Sequence, residues 1–223
     1  MIPEGILRNL RRGFNSLFKQ EGFPLGSLGL KKDNLLVVTS LFEGPKGRAW
    51  AAFEAEKVLS FLQGDLAERG SLRESVRDYG ACSEEGILYL ALEAACHLPF
   101  PSKLTLRLGP YFFGRDPRAP SFAPLLFSER AFALARFLKI RLLERPVVPG
   151  AGAFQALKEE VRAEEDVQAF GLPFYGLVVA GPTAQSIFDF LKPLVRKLRE
   201  RTKKALKKGL LRVPALRKPP SCW

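Results

Sequence analysis

Lys103 to Leu108 reads KLTLRL. Leu104, Leu106 and Leu108 alternate with Lys103, Thr105 and Arg107, the period of two that sends successive side chains to opposite faces of a strand. The pattern predicts a strand with its leucines on a core and a wet face carrying Arg107. Pro110 ends that strand or places it at a sheet edge, because proline offers no N–H to a ladder.

Outward from this segment, two more strands are expected. Leu35 to Phe42 is an apolar run bounded by Asp33 and Asn34 before and by the turn residues Gly44, Pro45, Lys46 and Gly47 after. Phe174 to Ala180 is the second, with Gly181, Pro182 and Thr183 turning into a long final helix. Helical spacing is read between them: Trp50 to Leu62, a short helix headed by Ser71 and Glu74 and stopped by Gly80, and a largely internal helix begun at Ser83. A central helix runs from Ser128 to about Arg145, where Pro146 forbids continuation, then a surface helix from Ala153 to Asp166 and the final one from Ile187 to Lys208. Glu21 to Lys32, with Pro24 and three glycines, reads as a loop. The expectation is a mixed α/β (α+β), helix-rich fold with a small sheet of about three strands packed by helices. It divides into a basic N-terminal helix and loop (1–32), one globular domain (33–209) and a flexible basic tail (210–223).

Of 223 residues, 47% are hydrophobic, which suits a chain with a real core. No apolar run approaches the roughly 20 residues a membrane helix needs, and the start lacks a secretory signal's apolar stretch. Cys82, Cys96 and Cys222 have neither metal nor disulfide spacing. A cytoplasmic location is expected, with the membrane periphery or an organelle matrix as alternatives should the N-terminal helix anchor or target the chain.

Charge is the strongest sequence signal. Thr183 to Trp223 holds twelve Lys or Arg against Asp189 and Glu200, most of the net charge of +12. Crowded cations repel one another unless a polyanion answers them. From Ile187 onward, Leu191, Leu194, Leu198 and Ala205 form an apolar row. Beside it lie Lys192, Arg196, Lys197, Arg199, Arg201, Lys203, Lys204, Lys207 and Lys208, followed in the tail by Arg212. Arg107, Arg115 and Arg118 interleave with Tyr111, Phe112 and Phe113 as a platform for unstacked bases would. These residues predict a non-enzymatic protein that grips the phosphate backbone of RNA or DNA with little sequence specificity.

Two alternatives stand beside that reading. Arg8, Arg11 and Arg12 flank Phe14, Leu17 and Phe18 in a basic amphipathic helix, suited to an anionic membrane surface, to the protein's own core or to a partner in a homo-oligomer or larger assembly. Asp33, Glu43, Glu54 and Glu56 would be the carboxylates of a metal-dependent nuclease, although their spacing matches no nuclease pattern.

Other chemistry is weakly supported. Arg73 to Tyr89 faintly resembles a helix-turn-helix, but its reading helix would carry Glu84, Glu85 and Glu93 toward phosphate. Cys96 beside His97, the only histidine, invites a thiol–imidazole pair, yet neighbours on a helix point about 100° apart, so burial or helix termination is the expected role. Gly181 to Thr183 lacks the lysine of a phosphate loop. No catalytic residue, metal or cofactor is predicted.

Overall fold

The computed structural model describes residues 5, 8, 12, 26–44, 47–63, 78–79, 84–108, 139–143, 147–148, 150–172 and 175–208. Its strands are β1 (Gly26–Lys32), β2 (Leu35–Gly44), β3 (Gly47–Glu54), β4 (Asp78–Tyr79), β5 (Leu104–Leu108), β6 (Arg141–Leu142), β7 (Gln168–Leu172) and β8 (Gly176–Gly181). They form one eight-stranded sheet in the order β4-β3-β2-β1-β5-β8-β7-β6, antiparallel except where β6 meets β7. Four helices, α1 (Ala55–Leu62), α2 (Glu84–Ala94), α3 (Ala151–Glu160) and α4 (Ala184–Lys207), complete the described elements.

This corrects the expected helix-rich fold around three strands. Glu21 to Lys32 was expected as a loop, but its second half is β1, the strand that joins β2 to β5. Trp50 to Glu54 belongs to β3 rather than to a helix, which starts only at Ala55. Arg141 and Leu142 form β6 where the central helix was expected to continue. β7 was missed altogether. Over Trp50 to Glu54 and Arg141 to Leu142 the local apolar pattern fits helix and buried strand alike, and pairing with a neighbour decides.

The sheet is covered on both faces. Leu28, Leu104, Leu106, Leu108, Leu177 and Val179 meet Ile187 and Leu191 of α4 on one side. On the other, Leu36, Val38, Ala51 and Phe53 meet α1 and α2, and Phe170, Val178 and Ala180 pack with Ala153 and Leu157 of α3. β5 is therefore buried along its whole length, and the face expected to be wet lies under α2. A two-residue turn at Asp33 and Asn34, with Asp33 at φ 52°, joins β1 to β2. Asn34 also caps α1: its Oδ1 accepts from Glu56 N at 3.1 Å and its carbonyl from Ala55 N at 2.8 Å, satisfying amides that a helix start leaves unpaired.

α4 matches the expected long basic helix and continues through Pro193. Among the described residues no helix is long and apolar enough to cross a membrane.

Candidate functional site

On the α2 side of the sheet, Ser27 of β1 lies directly opposite Arg107 of β5, and both side chains point at the end of α2. α2 brings Glu93, and just past its last residue the chain tightens: Cys96 N reaches Glu93 O and His97 N reaches Ala94 O, three residues back in each case. This shorter-pitch turn sets Glu93, Cys96 and His97 together. Tyr175, immediately before β8, closes the group. Every one of these side chains is buried; Arg107, at 8% exposure, is the most open.

The contacts are dense. Arg107 Nη1 donates to Glu93 Oε1 and Oε2 at 2.8 and 2.9 Å, and Nη2 donates to the Tyr175 carbonyl at 3.0 Å. The guanidinium carbon stands 4.0 Å from the centre of the Tyr175 ring, a cation–π contact out of water. Ser27 Oγ donates to Glu93 Oε1 at 2.5 Å and lies 3.1 Å from His97 Nε2. Gly29 is what admits the imidazole: a Cβ there would sit 2.3 Å from His97 Cγ. Among the described residues, His97 Nδ1 and Thr105 Oγ1 are buried with no hydrogen-bond partner.

Burial sets the protonation. It pushes the Cys96 thiol up, helped by the nearby Glu93 charge, and pushes the Tyr175 phenol up as well. His97 falls to about 3, first through burial and then through the Arg107 charge. Thiol, phenol and imidazole are all neutral near neutrality.

Glu93, Cys96 and His97 offer three ligand atoms within 4.8 Å of one another. They do not fit a divalent cation as arranged. Arg107 already occupies both carboxylate oxygens with a positive charge that a second cation would have to displace.

Of the residues singled out by sequence, Arg107 lies in this cluster rather than on a nucleic-acid surface. Lys192, Arg196, Lys204, Lys207 and Lys208 are exposed on α4 and its end. Lys197, Arg199, Arg201 and Lys203 fall on the same helix. Arg8 and Arg12 are exposed helical positions. Arg11, Phe14, Leu17, Phe18, Arg115, Arg118 and Arg212 lie outside the described residues, as do Tyr111, Phe112 and Phe113. His97 is buried just beyond the end of α2, as expected of it. Sequence reasoning passed over Ser27, Glu93 and Tyr175. A signal existed for Glu93: a carboxylate on a helix read as internal, four residues before the only histidine.

The fold is thus a broad, mostly antiparallel sheet with helices on both faces and a cluster of polar side chains beneath its centre. No family model matches the sequence, and no curated protein matches it. Solved structures do resemble it. The N-terminal class II aldolase domain of a conserved protein from Thermoplasma acidophilum superposes with a TM-score of 0.53 at 15% identity, over 89% of this chain and 92% of that one. A sugar-phosphate aldolase from Thermotoga maritima gives 0.47 at 10% identity, over 93% and 99%. At such identity the first likeness establishes a shared fold.

The expectation of a non-enzymatic RNA- or DNA-binding protein is corrected by this result. The fold resembles that of an aldolase domain, and a group of buried polar side chains gathers at the sheet's centre.

Proposed function

We propose that the protein is an enzyme that makes or breaks a carbon–carbon bond beside a carbonyl group in a small polar substrate, an aldol-type lyase. The observation that carries this reading is the convergence of Glu93, Arg107 and Tyr175, from three separate segments, into one buried group. The fold shared with an aldolase domain supports it. In the cleavage direction Glu93 takes the proton of the substrate's β-hydroxyl. The C–C bond breaks, the hydroxyl carbon leaves as an aldehyde, and the bonding pair moves onto the carbonyl oxygen. Arg107 offsets that developing negative charge where little water screens it. The neutral Tyr175 hydroxyl gives the oxygen its proton, and return of the Glu93 proton to the phenolate restores the enzyme.

The test is aldehyde release from a panel of β-hydroxy carbonyl compounds, alongside solvent deuterium exchange into the second product. Turnover that drops by roughly 10²–10⁴ in Tyr175→Phe is the expected result. Absence of both aldehyde and exchange across the panel, from folded protein, refutes the assignment.

A further inference from the structure

The hydrogen bonds around Ser27 have a direction. Glu93 accepts at both oxygens from Arg107, so it has no proton to give; Ser27 Oγ, 2.5 Å from Oε1, must donate its only one there. The hydroxyl then meets His97 Nε2 at 3.1 Å with lone pairs alone. Only an Nε2–H makes that contact attractive. The other neutral tautomer would set two lone pairs face to face and would also strand a buried N–H at Nδ1, which lies against Gly29 without a partner.

We propose that Ser27 and His97 are positioning residues, a one-way hydrogen-bond chain from His97 Nε2–H through Ser27 Oγ–H to Glu93. The chain engages Oε1 and leaves Oε2 as the oxygen that receives the substrate's proton. Oε1 accepts from both Ser27 and Arg107, whereas Oε2 accepts from Arg107, so the second oxygen retains more capacity. With Nδ1 against Gly29 and Nε2 spent on Ser27, the imidazole itself touches no substrate. The Oε2 assignment rests on the aldol reading; the direction of the chain does not.

One histidine in the chain makes the test clean. Full-length protein labelled with ¹⁵N-histidine should show a protonated Nε2 and a bare Nδ1, unchanged from about pH 8 to about pH 5, the range in which an ordinary imidazole titrates. An Nδ1–H tautomer, or an imidazolium forming within that range, overturns the proposal. Ser27→Ala should shift the Nε2 signals and speed exchange of its proton with solvent; signals identical to those of the unaltered protein also overturn it. For an enzyme shown to turn over, the same substitution should lower kcat by roughly 10- to 100-fold with KM little changed, the worth of one hydrogen bond to a charged group. Lack of turnover in the unaltered protein would sink the aldol reading alone, while the nitrogen signals would still decide the chain.

Discussion

Removing the charge of Arg107 while keeping most of its bulk, as Arg107→Met does, strips Glu93 of two hydrogen bonds and the Tyr175 carbonyl of a third. Glu93 is 4% exposed, so little water reaches it to replace the lost partner. Leaving one member of a buried pair behind costs about 3–5 kcal/mol, well above the cost of an exposed ion pair. At a urea slope of about 2 kcal/mol per molar, the unfolding midpoint should fall by roughly 1.5–2.5 M with the slope itself unchanged. Adding Glu93→Leu removes the stranded charge. The double variant should recover part of the loss and sit about 1–3 kcal/mol below the unaltered protein, a remainder set by the Ser27 hydroxyl proton and the Tyr175 carbonyl, which lose their partners. Equilibrium unfolding of all four proteins gives the coupling directly. A loss under about 1 kcal/mol for Arg107→Met, as for exposed pairs, or a double variant less stable than that single one, would refute the buried pair.

The same geometry sets three more outcomes. Gly29→Ala forces a Cβ to within 2.3 Å of His97 Cγ, so overpacking should cost about 1–3 kcal/mol and disturb the His97 ring signals; an unchanged melting curve would contradict the packing. His97 is held neutral in the fold near a value of about 3, whereas the unfolded chain takes up the proton below about 6.5. Its contribution is therefore complete above pH 6.5 and shrinks as pH falls, by roughly 2 kcal/mol at pH 5. Comparing urea midpoints between pH 5 and 7 tests this, since His97→Gln should flatten that slope relative to the unaltered protein. Asn34→Ala removes the side-chain cap from Glu56 N at the start of α1 and should cost about 1 kcal/mol; no change in the urea midpoint would show that α1 starts without it.

Elements whose pattern is local can be read from residue order alone. The alternation of KLTLRL over Lys103 to Leu108 made β5 legible, and the three- and four-residue spacing of Ile187, Leu191, Leu194 and Leu198 made α4 legible. Ser83, just ahead of α2, and the apolar positions after it marked that helix. Residues 26–32 and 168–172 escaped because their strand character comes from pairing with other segments, Leu35 to Val38 for β1 and Gly176 to Ala180 for β7. The partners of Arg107 are set by the fold. In the sequence it is one of many cations, and net charge drew attention to the carboxyl-terminal helix, where like charges lie close in the chain. The site joins Ser27, Glu93, His97, Arg107 and Tyr175 across 148 positions. No short window contains that pairing; antiparallel register aligns Ser27 with Arg107, and the packing of α2 on the sheet supplies Glu93.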